Sequence, residues 1–319
     1  MTSATSEAAD CTDAGATSFA PPNLASLGVA DLGRRRRSVW RLPAADLEFA
    51  GAAIVACRAD GRPALAWHNS LQHETIHGHP TRSKRVNAAL GATPLALWLP
   101  YELYRVSHLR HHADAGRHLT VPGRDPEAHY IAPGALAGLG PLRRAALRLN
   151  RTLAGRLILG PAVVVLRLWT GELRWPVDRR RLGIWLRHAV GVGAVLGWVV
   201  GVCRIPIFLY IGAIVYPSVS LSLLRSFAEH RAAQEACHRT AVVEAHAVWA
   251  LLFLNNQLHL VHHASPRLPW YDLPRAWRDM ALSADIGSGL LFRGGYAEVA
   301  QKYLFRPFIT TEHPGWSPE

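Results

Sequence analysis

Cysteine and lysine are both scarce in this chain. Its four cysteines are Cys11, Cys57, Cys203 and Cys237. They are scattered and form no CxxC pair, which excludes a rubredoxin-type iron site or a zinc ribbon built on cysteine. A disulfide framework is not expected either. Lysine occurs only at Lys84 and Lys302, so arginine carries nearly all of the positive charge.

Acidic residues are also in deficit, with 23 against 35 basic ones, which gives a net charge of +12. Basic chains usually bind nucleic acid or an anionic membrane surface. Here the arginines flank apolar runs, and half of the residues are hydrophobic. This pattern favours membrane lipids as partners and predicts no nucleic-acid partner.

The first part of the chain lacks hydrophobic periodicity. Residues 1–33 are rich in Ala, Ser, Thr, Asp and Gly, and an arginine run follows at 34–37. This composition is typical of a disordered tail. No basic start followed by an apolar core is present, so no signal peptide is expected. We predict a tail at 1–40, a membrane domain at 41–290 and a C-terminal tail at 291–319.

The longest uncharged apolar runs cover residues 189–203 and 207–224, with Arg204 and Pro206 between them. Each run approaches the ~20 residues that a helix needs to cross a bilayer, so together they predict a transmembrane hairpin. Arginines at 179–181 precede the hairpin, and Arg225 and Arg231 follow it. The positive-inside rule therefore places both ends in the cytoplasm.

Two other apolar regions are less suited to spanning. Residues 47–57 are apolar but too short, and charges follow them. Residues 135–182 carry arginines among leucines at helical spacing, which predicts helices lying in the membrane interface.

Histidine is in excess, with 17 residues, many of them in three clusters. The first cluster is His73 with His77; the other two read HxxHH and comprise His108, His111 and His112, and His259, His262 and His263. Positions i, i+3 and i+4 share one face of a helix, so each cluster presents its imidazoles together. Eight donors are too many for one zinc, which takes four ligands, and suit two metals. Imidazole binds Fe, Cu, Ni or Zn, so the donors alone leave the metal open.

Acidic residues near the clusters are candidates to hydrogen-bond the far imidazole nitrogens of metal ligands. These residues are Glu74, Asp125, Glu127 and Glu229. Glu74 and Glu229 each adjoin a histidine, yet on a helix they point about 100° away from it. We therefore expect them to serve histidines of another cluster.

The first cluster alone permits a different interpretation. Residues 73–77 read HExxH, the signature of zinc metallopeptidases in which the glutamate is the general base. A membrane zinc metallopeptidase would leave the two HxxHH clusters unexplained.

Several motifs resemble one known family, the membrane fatty acid desaturases with three histidine boxes around a di-iron centre, and in particular a bacterial branch. The resemblance extends from about residue 64 to 280. The residues that carry it are Ser70-Leu71-Gln72-His73-Glu74, His77-Gly78-His79-Pro80-Thr81, Pro100-Tyr101, Leu119-Thr120, Asp125-Pro126-Glu127, Asn255-Asn256-Gln257-Leu258-His259 and Leu268-Pro269-Trp270-Tyr271.

The resemblance implies a metal site for two iron ions. Its ligands would be the eight clustered histidines and a ninth, His230, which stands where the family has a lone histidine ahead of the third box. His79 would be a possible additional ligand, and His68 is expected beside the ligands rather than on the metal.

The implied fold is all-α: a helical stem embedded in the membrane, with a helical cap that holds the di-iron site. The implied reaction is the O2-dependent desaturation of a fatty acyl chain, with a hydroxylase or ketolase of the same superfamily as the alternative. Electrons would come from a separate ferredoxin-like or other carrier. The implied location is a bacterial inner membrane, with the histidine boxes facing the cytoplasm.

The sequence departs from the family pattern at three places. The segment from 47 to 67 is too short and too charged for the usual first transmembrane hairpin. Val121 stands where an acid is common, and Ser226 replaces an asparagine of animal acyl-CoA desaturases. The first departure leaves open a non-catalytic relic that keeps the histidine boxes.

Overall fold

Helices make up most of the fold. The computed structural model describes residues 61–113, 115–174, 178–234, 238–281 and 290–315. The elements in this part are α1 Gly61–Ile76, α2 Lys84–Ala92, α3 Tyr101–Ala113, α4 Ala115–His118, α5 Pro141–Leu149, α6 Leu153–Glu172, α7 Arg179–Gly201, α8 Ile207–Phe227, β1 Val242–Val243, α9 Ala247–Leu252, α10 His259–Ala264, α11 Leu273–Ala281, β2 Leu291–Phe292 and α12 Gly295–Tyr303. The predicted all-α class is confirmed, since each strand has only two residues.

Three expectations from the sequence fall outside the described residues. They are the tail at 1–40, the arginine run at 34–37 and the apolar stretch at 47–57.

Among the described residues, three helices are long and apolar enough to cross a membrane. α6, α7 and α8 have 20, 23 and 21 residues and mean hydropathies of 1.5, 1.4 and 1.9. α7 and α8 coincide with the predicted hairpin, and Arg204 lies in the turn between them with a φ of 59°. α6 is a further candidate span in a region where the arginine spacing predicts interfacial helices.

Local features define where the long helices begin. The Thr152 hydroxyl accepts a hydrogen bond from the Gly155 amide at 3.1 Å at the start of α6. The Asp178 carboxylate accepts one from the Arg181 amide at 2.6 Å at the start of α7. Such N-caps satisfy amides that have no partner inside the helix.

α8 contains a π-helical turn at Tyr210–Val215.

The core of the stem packs α1 against the hairpin. Buried Leu65 of α1 lies in one apolar cluster with the α7 and α8 residues Val195, Val199, Tyr210, Val215, Val219 and Leu223. α2 fits closely against α1 and α3, because a Cβ on Gly91 would lie 2.5 Å from Thr75 Oγ1 and 2.4 Å from the Tyr101 ring. The Thr75 and Tyr101 hydroxyls are hydrogen-bonded at 2.9 Å. This packing fixes α1 relative to α3.

The described residues of the C-terminal segment are part of the folded body. The sequence places residues 291–319 in a tail, but β2 pairs in parallel with β1, with Val242 opposite Leu291 and Val243 opposite Phe292. Phe292, Tyr296 and Phe308 are buried in a second apolar cluster. The described part of the segment, residues 291–315, therefore packs onto the core rather than leaving it.

Candidate metal centre

The histidines come from the ends of helices that meet at one end of the stem. His73 lies in the last turn of α1, and His77 follows the end of that helix. α3 and α10 carry the two HxxHH sequences, and His230 lies just after α8. Because the spacing puts the members of each cluster on one helical face, each helix directs its imidazoles to the same place.

The nine imidazoles form two groups. In each group the candidate ligand atoms all lie within 4.8 Å of one another. The first group has five members, His73, His77, His108, His112 and His262, and the second has four, His111, His230, His259 and His263. The rings of His112 and His263 stack between the groups, with centroids 4.3 Å apart. All nine histidines that the sequence predicts are thus brought together.

The Nε2 spacings fit metal coordination. In the first group, Nε2 of His108 lies 3.0 Å from that of His77 and 3.1 Å from that of His112. Two nitrogens bound at right angles to one metal at about 2.1 Å are separated by about 3.0 Å, against about 3.4 Å in a tetrahedron. In the second group, Nε2 of His259 and His230 are also 3.0 Å apart. Both groups could therefore hold a metal ion with more than four coordination positions.

Asp125 and Glu127 hold two of the α3 imidazoles in orientation. Asp125 Oδ1 lies 2.9 Å from Nδ1 of His111, and both carboxylate oxygens of Glu127 lie 3.2 Å from Nδ1 of His108. Asp125 is itself fixed by the amides of Thr120 and Glu127, each at 2.8 Å. Since Nδ1 donates to the carboxylate, Nε2 is left free to bind a metal.

Glu229 faces a histidine of another cluster, as its helical position predicts. Its Oε1 lies 3.6 Å from Nδ1 of His259 and 2.8 Å from Nη1 of Arg225. Arg225 is one turn earlier on α8 and holds the carboxylate at the wall of the site.

Glu74 does not contact another cluster. Its Oε2 accepts a hydrogen bond from the Trp270 amide at 3.3 Å, and its Oε1 lies 3.6 Å from Nδ1 of its own neighbour His73. α1 ends at Ile76, and the segment around Trp270 packs against its last turn. Tertiary packing therefore gives Glu74 a backbone partner where the helical angle predicts an imidazole.

His68 and His79 lie outside both groups. Nε2 of His79 lies 2.9 Å from the carbonyl of Arg267, and Nε2 of His68 lies 3.3 Å from the carbonyl of Leu90. These contacts fix the segments around the first box, and neither ring reaches the nine imidazoles as a group member.

Asn256 is a site residue that sequence reasoning missed. It is 2% exposed. Its Oδ1 lies 3.2 Å from Nδ1 of His259 in one group, and its Nδ2 lies 3.4 Å from Nε2 of His73 in the other. The available signal was its place in the Asn255-Asn256-Gln257-Leu258-His259 motif, three residues before His259.

Burial sets the charge of the imidazoles. It lowers the pKa of both His77 and His230 to about 3. The charged imidazolium form would lose its hydration and would be repelled by neighbouring imidazoles. Burial likewise holds the pKa of His73, His259, His262 and His263 well below the usual value. These rings are neutral at neutral pH, which is the form that binds a metal.

The acids differ from one another in charge. Burial opposes ionisation of Glu127, but His108 beside it outweighs burial and lowers the pKa of Glu127 to about 2. Burial also opposes ionisation of Asp125, but the hydrogen bond with His111 outweighs it, and the pKa of Asp125 is lowered. Burial raises the pKa of Glu74 to about 8, since no strong partner compensates. The negative charge that could balance metal ions therefore lies on the α3 side of the site.

A cavity of about 900 Å³ adjoins the histidines. His108, His230 and His259 line it, together with Glu127 and Glu229. Its apolar lining comes from the 94–99 loop, α3, α6 and α8: Trp98, Leu103, Val164, Leu168, Val219 and Leu223. Tyr104, whose ring centroid is 5.7 Å from that of His108, also lines the cavity. An elongated apolar ligand in this cavity would lie against the candidate metal site.

Comparison with known proteins gives one family. No curated protein matches the chain significantly. The family model for fatty acid desaturases matches residues 49–288, about three quarters of the 319 residues and all nine grouped histidines. The protein therefore belongs to the fatty acid desaturase family.

Proposed function

We propose that the protein desaturates a fatty acyl chain in an O2-dependent reaction at two irons. The observation that carries this proposal is the arrangement of nine imidazoles in two adjoining groups beside a cavity of about 900 Å³. Membership of the family supports an oxidoreductase that acts on fatty acyl chains.

The two groups of histidines would hold one iron each. The bound irons supply the redox chemistry that activates O2 and oxidises an unactivated C–H bond. Asp125 and Glu127 keep the protons of His111 and His108 on Nδ1, so that Nε2 of each ring stays available. Their negative charge would offset the charge of metal ions bound by neutral imidazoles.

The cavity positions the substrate and excludes water from the reacting carbon. Its apolar lining from α6 and α8, including Val164, Leu168 and Leu223, suits a methylene chain. His108, His230 and His259 border the same space, so a chain lying in it would present one of its carbons to the metal site. Exclusion of water protects a reactive oxidant from side reactions.

A hydroxylase or ketolase is the second candidate. The same ligands serve either reaction, and one feature of the cavity favours an oxygenated product. Asn69 Nδ2 donates to Ser222 Oγ at 3.0 Å, and both residues line the cavity together with Ser226. These groups could hold a hydroxyl in an otherwise largely apolar space.

The arrangement does not support a zinc metallopeptidase. The HExxH mechanism needs the glutamate to face a metal-bound water. Here Glu74 accepts a hydrogen bond from the Trp270 amide, and His73 and His77 lie among five imidazoles.

We place the site on the cytoplasmic face of the membrane, with electrons supplied by a separate ferredoxin-like carrier. Arginines 179–181 form the start of α7, Arg225 lies in the last turn of α8 and Arg231 follows it, while the turn between the helices has only Arg204. The positive-inside rule favours this orientation.

Lipid profiling of a host that expresses the chain tests the proposal. A desaturase yields acyl chains that lack two hydrogens, and a hydroxylase yields chains that gain an oxygen. The His262→Ala variant should give neither product and should lose iron, whereas His246→Ala, at an exposed position outside both groups, should behave as the wild type. Wild-type product and iron in His262→Ala would overturn the di-iron assignment, and intact iron without a new lipid would indicate a relic.

A further inference from the structure

Both ends of α6 are tied to a single loop. Arg151, which lies two residues before α6, donates through Nη2 to the carbonyl of His129. Arg167, near the other end, donates through Nη1 to the carbonyl of Ala128 at 2.7 Å. Residues 128 and 129 are neighbours with Cα atoms about 3.8 Å apart. From Leu153 to Arg167 an ideal helix would extend about 21 Å, so α6 passes alongside this loop rather than away from it.

Other contacts place both ends of α6 at the same end of the α7–α8 hairpin. Leu153, the first residue of α6, packs in one buried cluster with Phe227, the last residue of α8. Glu172, the last residue of α6, accepts bonds from Arg181 at 2.7 and 2.8 Å and from Trp185 Nε1 at 2.9 Å, both near the start of α7. The start of α7 and the end of α8 are the end of the hairpin that carries the histidine site.

The meeting of the histidine groups requires an even number of membrane crossings between them. His112 precedes α6 and His230 follows α8, yet both lie in the same site. Three crossings by α6, α7 and α8 would put them on opposite sides of the bilayer. α7 and α8 are joined by a short turn and cross as a pair, so α6 is the helix that does not cross.

The middle of α6 rests on α8 and its outer side is apolar. A Cβ on Gly160 would lie 2.7 Å from Leu223 Cδ1, so glycine permits the close crossing of the two helices. Val164 and Leu168 line the cavity. The exposed apolar residues of α6 and its C-cap are Ile158, Leu166, Trp169 and Leu173, at 65, 62, 45 and 80% exposure. An apolar face of this extent beside two membrane spans fits lipid.

The helix that precedes α6 adds a cationic rim. α5 contains no acidic residue, and its Arg143 and Arg148 are exposed beside the exposed Leu142 and Leu149. Arginines next to exposed leucines are typical of helices that lie at the headgroup level of an anionic leaflet.

We infer that α6 lies along the membrane surface on the side of the histidine site, with its outer face in lipid and its inner face forming the wall of the cavity. An acyl chain then reaches the cavity from that same leaflet, past α6. The inference rests on the helix contacts and on the meeting of the nine imidazoles, and it does not depend on the proposed reaction.

Cysteine labelling on the two sides of the membrane tests the inference. The four native cysteines are replaced by serine, and single cysteines are introduced by Arg143→Cys, Arg174→Cys and Arg204→Cys, all at exposed positions. A membrane-impermeant maleimide is applied to intact cells and to inverted vesicles, with the cysteine-free chain as the control. We expect 143 and 174 to be labelled from one side and 204 from the other.

Each other pattern overturns the inference. A crossing α6 would put 174 opposite 143, with 204 on the same side as 143. Labelling of all three positions from one side would mean that α7 and α8 do not form a transmembrane hairpin. The count of crossings depends on that hairpin. Because neither iron nor turnover is measured, the result stands whether or not the desaturase proposal survives.

The depth of spin labels gives a second, independent readout. Ile158→Cys and Leu173→Cys are 15 residues apart, which is about 22 Å along a straight helix, and Leu182→Cys and Trp198→Cys on α7 provide a matched pair. We expect the α6 pair to differ in depth by less than half of the difference in the α7 pair. Equal differences in the two pairs would mean that α6 spans the membrane.

Discussion

Asp125 Oδ1 lies 2.9 Å from Nδ1 of His111, where His111 is on α3 and Asp125 is in the loop that follows α4. The same carboxylate accepts hydrogen bonds from the amides of Thr120 and Glu127. It therefore both organises the loop and orients the imidazole. His111 belongs to the group of four imidazoles, which has fewer donors to compensate for a displaced ring.

Replacement of Asp125 should therefore weaken metal binding and the loop at once. In Asp125→Ala, His111 loses its acceptor and two buried amides lose theirs, at about 1–3 kcal/mol for each unpaired group. We expect a 10- to 100-fold lower affinity for iron and a lower unfolding midpoint. Asp125→Asn keeps an oxygen in place and should retain the midpoint while losing part of the affinity. Titration with Fe(II) in the absence of O2, combined with thermal unfolding in detergent, measures both effects.

The matched control for this pair is Asp279→Asn, since Asp279 is exposed on α11 and its carboxylate lies 4.0 Å from Arg275. It should change neither quantity. An Asp125→Ala protein that binds iron as tightly as Asp279→Asn would show that the carboxylate does not orient His111.

Asn256 contacts both imidazole groups, so its loss should affect the two metals together. In Asn256→Ala, Nδ1 of His259 loses its nearest acceptor, which leaves only Glu229 at 3.6 Å. We expect iron per chain to fall below two, with a 10- to 100-fold weaker affinity in the second group. Iron analysis and Mössbauer spectroscopy of the loaded protein report the number of sites and their environments.

Asn69→Ala is the control for Asn256→Ala, because it also removes a side-chain amide. Asn69 lines the cavity, donates a hydrogen bond to Ser222 and is a member of neither group. It should leave iron content unchanged and alter the product distribution. The assignment of Asn256 fails if its alanine variant keeps two irons with unchanged spectra.

The histidine pattern predicted much of the site because it is a local property of helices. His108, His111 and His112 share a face by spacing alone, and the same holds for His259, His262 and His263. The sequence also indicated Asp125 and Glu127 as candidate partners of imidazoles, and both acids follow α3 at a distance of fewer than fifteen residues. That the nine imidazoles bind iron stays a prediction.

Contacts between distant segments could not be predicted in the same way. The partner of Glu74 is the amide of Trp270, which is 196 residues away, and no helical period encodes it. The arginine spacing of residues 135–182 predicts interfacial helices, but it does not encode the contacts of Arg151 and Arg167 with one loop. The parallel pairing of β2 with β1 also joins segments that are distant in the sequence, and no local pattern encodes it.

His68 should make the protein less stable in acid. Burial lowers the pKa of His68 to about 4, below the ordinary 6.5, while the contact with the Leu90 carbonyl opposes the shift. Between pH 6.5 and 4 the unfolded chain therefore binds a proton that the folded chain does not, so stability falls as pH falls through this window and is unaffected above it. The loss amounts to at most about 3 kcal/mol for this group.

The His68→Gln variant removes this titration and keeps a donor for Leu90. Its unfolding midpoint in detergent should fall less than that of the wild type between pH 7 and pH 5, while the two midpoints change in parallel above pH 7. Iron content should be unchanged, because His68 lies outside both groups. His246→Gln, at an exposed position, should follow the wild type at every pH, and a His68→Gln curve that does the same would refute the assignment.

Two leucines on α6, two residues apart, lie on opposite sides of the helix. Leu168 lines the cavity, whereas Leu166 is 62% exposed on the outer face. In Leu168→Trp the added ring occupies space that the acyl chain needs, so we expect at least a 10-fold loss of turnover, or a shift to shorter chains, with iron content unchanged. Leu166→Trp adds the same volume on the lipid side and should leave both quantities as in the wild type. Product analysis over a series of chain lengths, with iron measured on the same samples, makes the comparison. Equal turnover in the two variants on every chain length would mean that the substrate does not lie along α6.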